Sequence, residues 1–378
     1  MKKIAFVVNN SDFFISHRMP IGFALIAKGV EVHVIGPGVC PEVLAEKGFK
    51  FHSVKMSRKG MNPFAEVLTI LALRHLFKQI QPGLVHLVTI KPYLYGGIAA
   101  RLARVPAVVS AVAGLGTVFI DNLLKAKIVR SVLWFLYRFS FGHKNQKVIF
   151  QNSNDACLFS DWIGLADKKS VLIRGSGVDL KGYKFVQEPE GVPVVTLVAR
   201  LLIDKGICEF VEASQILKSH GIPVRMCLVG DIDQGNRTSV TKEQLNEWSS
   251  QGLIEVWGYR KDIDQVYAES NIACLPSYRE GLPKSLIEAA ACGRAVVTTD
   301  VPGCRDAIEA DVTGVLVPVR DAEALANAIQ DLIQNSEKRK SMGKAGRTLA
   351  EQEFSIEKVV DAHLDIYDEL LKSTKVNG

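Results

Sequence analysis

A strand, a loop, a helix and a second strand follow one another between residues 272 and 298, and this unit constrains the fold more than any other segment. The apolar run from Ile272 to Pro276 is typical of a buried strand end. A helix is predicted from Lys284 to Ala291, closed by Gly293, and residues 295–298 form the next apolar run. Two strands joined by a helix indicate a parallel sheet, and therefore the α/β class.

The loop of this unit carries an acidic residue beside a helix N-terminus. Glu280 precedes the helix, whose unpaired backbone N–H groups favour phosphate. Seven residues separate Glu280 from Glu288, which lies on the helix itself. One carboxylate thus precedes the segment expected to bind phosphate, and the other follows it. This arrangement suits a nucleotide-sugar, in which a diphosphate joins a ribose and a sugar that both carry hydroxyl groups. The residues expected to line the phosphate are Gly281, Leu282, Pro283, Lys284 and Ser285.

The rest of the chain repeats the alternation of strands and helices, and its length suits two domains. There are 378 residues, of which 48% are apolar. Residues 177–192, with Pro189 and Gly191, predict a linker, and a new strand begins at Val194. We therefore predict one domain over residues 1–180, a second over residues 190–355, and a final amphipathic helix from residue 356.

The charge is distributed unevenly between these two domains. Residues 1–180 contain 23 Lys and Arg against 10 Asp and Glu, a net charge of +13, whereas the remainder has 23 against 30, a net charge of −7. An excess of this size predicts an anionic partner for the first domain. Nucleic acid, a phospholipid surface and a diphosphate-bearing substrate would each satisfy it, but no nucleic-acid-binding motif is present.

Several classes of protein are disfavoured by the sequence. The turn after the first strand lacks G-x-G-x-x-G, which counts against a nicotinamide or flavin dehydrogenase. The seven cysteines show no metal-ligand spacing, so we expect reduced thiols and no metal site. The apolar runs are too short to span a bilayer, and Asn9 and Asn10 end the first of them too early for a signal peptide. We therefore expect a cytosolic protein.

Cations and glycines at predicted strand ends are the candidates for binding an anion. Arg200 ends one strand and Lys205 begins the next helix, so the two can converge on a diphosphate. Candidates in the first domain are His17, Arg18, Lys91 and Gly116. The basic turn at residues 17–18 is equally consistent with two solvated side chains, and His86, within a strand, is expected to be a packed structural histidine.

Residues 123–141 predict an amphipathic helix with two faces. The basic and aromatic side chains on one arc are Lys127, Arg130, Trp134, Tyr137 and Arg138. The opposite side is apolar and includes Phe135 and Phe139. Either the helix lies at a membrane interface, or it is a core helix whose Lys and Arg side chains merely reach water. The charge excess of this half of the chain favours membrane contact.

The segment from Ser277 to Gly293 resembles a known family signature. It reads S-x-x-E-G-x-P-x-x-x-x-E-A-x-A-x-G, similar to that of retaining glycosyltransferases of family 4. The resemblance implies the GT-B fold, in which two Rossmann-like, doubly wound parallel-sheet domains face a central cleft and the C-terminal helix returns to the first domain. It further implies that Glu280 holds the donor sugar, that Glu288 holds the nucleotide ribose, and that Arg200 and Lys205 bind the donor diphosphate.

Further motifs resemble one subgroup of that family, which extends saccharides on undecaprenyl diphosphate and includes N-acetylgalactosaminyltransferases. These motifs are His17-Arg18-Met19-Pro20, Ser57-Arg58, Asn62-Pro63-Phe64, Gly114-Leu115-Gly116 and Pro302-Gly303-Cys304. The resemblance implies a hexosyltransferase that moves an N-acetylhexosamine, with N-acetylgalactosamine as the first expectation, from a UDP-sugar to a polyprenyl-diphosphate-linked saccharide. It implies no cofactor and no metal, and a peripheral position on the inner face of the cell membrane with acceptor binding in the first domain.

One departure from the family and two other functions remain open. Many members carry a histidine after the strand that contains His86, whereas Val88, Thr89 and Ile90 stand here. Either Lys91 or His17 replaces it, or it is dispensable. A UDP-sugar 2-epimerase or a non-catalytic nucleotide-sugar-binding protein would share the fold. The epimerase leaves the basic first half unexplained, and the intact set of two acids and two cations disfavours the non-catalytic protein.

Overall fold

The computed structural model describes residues 2–56, 62–114, 124–236 and 238–376. The chain divides into two compact units. Unit 1 comprises Met1–Ser176 and Glu357–Gly378, and unit 2 comprises Gly177–Ile356. Within the described ranges, no helix is both long and apolar enough to cross a membrane.

Unit 1 is built on a parallel sheet of seven strands. Their order is β3-β2-β1-β4-β5-β6-β7, and in the central register Ile4 lies between Val32 and Leu84. The inner strands are apolar because the sheet is covered on both faces, whereas β3 and β7 at the two edges are only partly buried. Their bounds are β1 Lys3–Val7, β2 Glu31–Gly36, β3 Lys50–Ser53, β4 Leu84–Val88, β5 Ala107–Val112, β6 Gln146–Phe150 and β7 Ser170–Leu172.

Helices cover the two faces of this sheet and form two separate apolar clusters with it. One face carries α1 Ser11–His17, α2 Met19–Ala27, α3 Glu42–Glu46 and the C-terminal helix α14 Ile356–Val376. The other carries α4 Pro63–Ile80, α5 Gly97–Ala103, α6 Leu124–Ser140 and α7 Ser153–Ile163, with a π-helical turn at Pro92–Gly96. Residues of α14, among them Tyr367 and Leu370, pack in the same cluster as Phe6 of β1.

Helix α6 turns part of its predicted basic and aromatic arc towards the interior of unit 1. Tyr137 is buried, and the indole of Trp134 donates to the carbonyl oxygen of Trp162 at 2.9 Å. Phe135, which the helical wheel places on the apolar side, is 68% exposed, and Phe139 is exposed as well. The two-face interpretation is therefore corrected: the aromatic rings of the arc pack against α7, and the phenylalanines face outward.

Unit 2 contains a second parallel sheet of six strands in the order β10-β9-β8-β11-β12-β13. The strands are β8 Val194–Val198, β9 Arg225–Val229, β10 Glu255–Gly258, β11 Ile272–Leu275, β12 Ala295–Thr299 and β13 Gly314–Val317. The helices are α8 Ile207–Ser219, α9 Lys242–Ser250, α10 Ile263–Ala268, α11 Lys284–Ala291, α12 Ala322–Gln334 and α13 Ser336–Glu353. The strand–loop–helix–strand unit predicted from the sequence is β11, α11 and β12.

The segment predicted as a linker packs against unit 2. Val178 is buried, and its backbone forms an isolated parallel β-bridge with Ser355. The carboxylate of Glu188 accepts from the guanidinium of Arg339 at 2.8 Å, and Arg294 donates to the carbonyl oxygen of Val186. Buried guanidinium groups thus hold residues 177–188 in place, a feature that the Pro and Gly composition of the segment did not reveal.

Candidate active site

The order of the strands in unit 2 brings three predicted residues to one edge of the sheet. The chain proceeds outward from β8 to β9 and β10, and then returns to β11 on the other side of β8. Ligands of open α/β sheets bind at the carboxyl ends of the strands where the order reverses in this way. Arg200 and Lys205 follow β8, and Glu280 follows β11.

Lys205 and Glu280 are in direct contact. The ammonium group of Lys205 donates to Oε1 of Glu280, and the hydroxyl of Ser277 donates to the same oxygen at 2.8 Å. Both charged side chains are largely buried, which strengthens their attraction relative to a surface pair. The carboxylate is therefore held in one orientation by two donors, one of which is a cation.

Two glycines allow the loops that carry this pair to approach each other. Gly206 follows Lys205 with φ +75°, and a Cβ there would lie 2.1 Å from the carbonyl oxygen of Pro276. Gly303 has φ +85°, and its Cβ would lie 2.4 Å from the carbonyl oxygen of Glu280. Since only glycine fits both the left-handed backbone and the close approach, the Pro302-Gly303 turn supports the loop that carries Glu280.

Arg200 has an acidic partner that the sequence did not predict. Its Nη1 donates to Oδ2 of Asp233 at 2.6 Å, and more than half of its side chain is exposed. Asp233 belongs to the loop after β9, which approaches closely because residue 230 is a glycine: a Cβ there would lie 1.9 Å from the carbonyl oxygen of Ala199. The guanidinium thus lies at the same sheet edge as Lys205, paired with a different loop.

Glu288 lies one turn into α11 with its side chain almost entirely buried. It is 6% exposed, and its Oε1 accepts from the phenol of Tyr183 at 2.8 Å. The ammonium group of Lys284, one turn earlier on the helix, lies 3.1 Å from the same oxygen. Burial, and then the charge of Glu288, raise the pKa of the Tyr183 phenol far above its usual range. Tyr183 therefore stays protonated and donates at neutral pH.

The N-terminus of α11 has the features of a phosphate-binding position. Pro283 is the N-cap and supplies no side-chain hydrogen bond to the first turn, which begins at Lys284. The carbonyl oxygen of Ser285 accepts a hydrogen bond from the phenol of Tyr267 on α10 at 2.7 Å, and this bond fixes the first turn of α11. The N–H of Leu286 donates to the carbonyl oxygen of Pro283 at 3.2 Å, so the N–H groups of Lys284 and Ser285 are the ones that suit a ligand or water. Gly281 and Leu282 lead into this turn from Glu280.

In unit 1 the strand order reverses between β1 and β4, and three of the predicted first-domain residues, His17, Arg18 and Lys91, follow these two strands. His17 ends α1, stacked on Phe13 with ring centres 4.1 Å apart, and its Nδ1 lies 2.7 Å from the hydroxyl of Ser16. Lys91 donates to Oε1 of Glu66 at 2.5 Å, with both side chains largely buried. The charge of Lys91 is therefore already neutralised by a carboxylate.

Arg18, predicted to contact an acceptor, is enclosed within unit 1, and its acceptor role stays a prediction. Arg18 separates α1 from α2, two positions before Pro20. Its side chain is only 1% exposed. Its Nη1 donates to the carbonyl oxygen of His17 at 3.1 Å. Burial lowers the pKa of Arg18 to about 10. The Nε atom of this guanidinium is buried without a hydrogen-bond partner among the described residues.

His86 has the structural role predicted for it. It is fully buried, and its Nδ1 lies 2.5 Å from the phenol oxygen of Tyr367 on α14. His363, one turn earlier on α14, stacks on the His86 ring at 5.6 Å. Burial lowers the pKa of both histidines, that of His363 to about 3. Both rings are therefore neutral at physiological pH.

Thr89 is a strained residue of unit 1. It follows β4 with φ +75°, a left-handed conformation that is a genuine outlier for a β-branched side chain. Its buried hydroxyl has no hydrogen-bond partner within the described ranges. Thr89 is one of the residues that stand where many family members have a histidine. Such strain is found mainly at functional sites.

Some predictions cannot be compared with the structure. Gly116 and the side chains of Lys127 and Arg130 lie outside the described residues. In the part of the chain that is described, no group of three or more His, Cys, Asp or Glu side chains is arranged to hold a metal ion.

The sequence analysis missed four residues that shape the candidate site. Ser277 was visible as the first letter of the signature, but its bond to Glu280 was not. Gly303 was visible in the Pro302-Gly303-Cys304 motif without its packing role. Tyr183 and Asp233 gave no signal, because each reaches the site from a separate loop.

Comparison with known proteins gives concordant matches along the chain. The family described as glycosyl transferases group 1 matches residues 183–349, and the family described as glycosyl transferase 4-like matches residues 3–152. The chain is 30% identical over 386 residues to the N,N'-diacetylbacillosaminyl-diphospho-undecaprenol alpha-1,3-N-acetylgalactosaminyltransferase of Campylobacter jejuni, covering 98% of this chain and 100% of that protein.

A second relative and a solved structure extend this result. The UDP-Gal:alpha-D-GlcNAc-diphosphoundecaprenol alpha-1,3-galactosyltransferase of Escherichia coli is 25% identical over 331 residues, covering 83% of this chain and 82% of that protein. The crystal structure of Anabaena HepE in complex with UDP-glucose has a TM-score of 0.77 and 19% identity, covering 98% and 99% of the two chains. The structural likeness shows the GT-B fold that the sequence predicted, and the 30% identity over nearly the whole length shows that the chain belongs to the group 1 glycosyltransferases.

Proposed function

We propose that this glycosyltransferase moves an N-acetylhexosamine, N-acetylgalactosamine in the first instance, from a UDP-sugar to an undecaprenyl-diphosphate-linked saccharide, with retention of configuration. The observation that carries the donor half of the proposal is the Lys205–Glu280 contact beside the N-terminus of α11. The acceptor half is supported by the names of the relatives, both of which specify a saccharide on diphosphoundecaprenol.

The donor is assigned to unit 2, part by part. Glu288 accepts hydrogen bonds from the ribose hydroxyls, and the N–H groups at the start of α11 bind the diphosphate. Lys205 and Arg200 supply fixed positive charge to the same diphosphate, and Glu280 accepts from hydroxyls of the sugar. Fixed cations stabilise the negative charge that develops on a departing diphosphate. Because they are already oriented, they do so without the reorganisation that water molecules would need.

The transfer step is the one that the resemblance to retaining glycosyltransferases of family 4 implies. The acceptor hydroxyl oxygen forms a bond to the anomeric carbon on the face from which UDP departs, and the bond from that carbon to the diphosphate oxygen breaks. The proton of the acceptor hydroxyl passes to the departing diphosphate oxygen. Lys205 and Arg200 hold the leaving group near the anomeric carbon while this exchange occurs, so configuration is retained.

The acceptor and its membrane are assigned to unit 1. The outer side of α4 is apolar, with Phe64 84% exposed and Val67, Leu68 and Leu71 exposed beside it. On α6, Phe135 is exposed, and the guanidinium carbon of Arg101 lies 4.1 Å from the ring centre of Phe139. Exposed apolar side chains next to cations are suited to an anionic bilayer. We accordingly place the protein at the inner face of the cell membrane, where it is peripheral.

A UDP-release assay tests the proposal. Purified protein is incubated with UDP-GalNAc, UDP-GlcNAc, UDP-Gal or UDP-Glc, with and without a bacterial lipid extract that contains polyprenyl-diphosphate saccharides. We expect UDP release from UDP-GalNAc only with the extract, together with a labelled lipid product. Release from no donor under either condition would overturn the proposal, and conversion of the donor into an isomer would identify an epimerase instead.

A further inference from the structure

Tyr183 is joined to the carboxylate assigned to the ribose. Its phenol donates to Oε1 of Glu288 at 2.8 Å, and Lys284 reaches the same oxygen. In the described structure both donors therefore converge on one carboxylate oxygen. A hydrogen bond to an ionised acceptor is stronger than a neutral one, so this bond fixes the rotation of the carboxylate and directs its Oε2 away from Tyr183.

The backbone of Tyr183 is itself fixed to the helix that carries Glu288. Its carbonyl oxygen accepts from Nη1 of Arg347 at 2.7 Å, and the same nitrogen donates to the carbonyl oxygen of Ala291, the last residue of α11, at 2.7 Å. Its N–H donates to the carbonyl oxygen of Asp179 at 2.8 Å, which closes a turn. The phenol is thus held at a set distance from Glu288, three residues before Ala291.

We propose that Tyr183 is a positioning residue of the donor site, which orients Glu288 so that Oε2 accepts from the ribose hydroxyls of the nucleotide. This inference rests on the proposed function, because that function assigns the ribose to Glu288. The ribose offers two neighbouring O–H donors. Because Oε1 of Glu288 is already occupied by Tyr183 and Lys284, Oε2 faces these donors in a single orientation. Without the phenol, the ammonium group of Lys284 alone would determine how the carboxylate turns.

The test measures binding of UDP and of 2′-deoxy-UDP by calorimetry, with no acceptor needed. The wild-type protein should bind UDP more tightly than 2′-deoxy-UDP, and Glu288→Gln should reduce that ratio. Tyr183→Phe removes only the phenol oxygen. We expect it to weaken UDP binding about tenfold, to weaken 2′-deoxy-UDP binding by a clearly smaller factor because only the 3′-hydroxyl remains to contact Glu288, and to raise KM for the donor while kcat stays within about twofold.

The matched control is Tyr267→Phe. It deletes a phenol that also bonds to α11, at the carbonyl of Ser285 rather than at Glu288. We expect this variant to keep the wild-type ratio between the two nucleotides, whatever it does to overall stability. If Tyr183→Phe also keeps that ratio, the positioning role is refuted while Glu288 retains its assignment. If wild type and Glu288→Gln both bind the two nucleotides equally, the ribose assignment in the proposed function fails instead.

Discussion

Lys205 and Glu280 hold each other in unit 2 across 75 residues of sequence. The ammonium group bonds to Oε1, both side chains are largely buried, and Ser277 adds a third hydrogen-bonding group. Because both side chains are largely buried, water could not fully solvate either charge if its partner were removed. In the proposed reaction a donor sugar and its diphosphate would enter between the groups that now neutralise each other, which makes the pair the first target for substitution.

Substitution of Glu280 should abolish sugar transfer. Glu280→Gln keeps the shape of the side chain but removes its charge, and Glu280→Ala removes both. Since one preorganised charged group is worth roughly 10²–10³-fold in rate, we expect kcat/KM for UDP release to fall at least 100-fold in both variants. Glu323→Gln, an exposed glutamate on α12, serves as the control and should keep full activity. Intact transfer by Glu280→Ala would show that the site assignment is wrong.

Gly303→Ala should disturb the loop of Glu280 through the backbone. The added Cβ would lie 2.4 Å from the carbonyl oxygen of Glu280, on a residue with φ +85°. Gly221→Ala is the matched control, because Gly221 has φ +69° and nothing lies within 4 Å of its Cβ position. The left-handed backbone costs each variant about 1 kcal/mol of stability. Only Gly303→Ala should also lower kcat/KM, by tenfold or more, and equal activities in the two variants would contradict the packing role.

The donor half of the candidate site was accessible from the sequence because it is local. Glu280, the first turn of α11 and Glu288 lie within nine residues, so a signature with fixed spacing specifies their arrangement. Lys205 and Arg200 could be added because parallel strands end at the same edge of a sheet. The partners that come from other loops, Tyr183 among them, could not be predicted, since no periodicity or spacing connects them to the signature.

The first unit was harder to predict because long-range packing decides where its side chains point. Arg18 was expected at a surface, but it is buried beside α14, whose Tyr367 and His363 lie about 350 residues further along the chain. Helical spacing located α6 correctly as a helix. The same spacing does not say which side faces the sheet, and so it did not reveal that Phe64 and Phe135 are exposed.

The exposed side of α4 should contribute to membrane binding. The double variant Phe64→Ser and Leu68→Ser removes two apolar side chains, each worth about 1.5–3 kcal/mol when fully buried. We expect the partition coefficient onto vesicles of phosphatidylglycerol and phosphatidylethanolamine to fall at least tenfold in a co-sedimentation assay. Val39→Ser is the control, because Val39 is 90% exposed in unit 1 but lies outside α4 and α6. A partition coefficient that is the same in all three proteins would argue against this surface.

The buried histidines of unit 1 should make its stability depend on pH. The pKa of His363 is lowered to about 3 by burial, against 6.5 in an unfolded chain. Between these values the unfolded state binds more protons, so stability is fully present above pH 6.5 and is lost progressively as the pH falls towards 3. For His363 alone the loss at pH 5 is about 2 kcal/mol, and burial of His86 acts in the same direction.

Hydrogen exchange of peptides from β4 and α14 at pH 5 and pH 7, corrected for intrinsic rates, measures this loss of stability. Peptides from unit 2 serve as an internal reference. His363→Leu should flatten the dependence, His220→Gln at an exposed site should not, and equal protection of β4 at both pH values would refute the linkage.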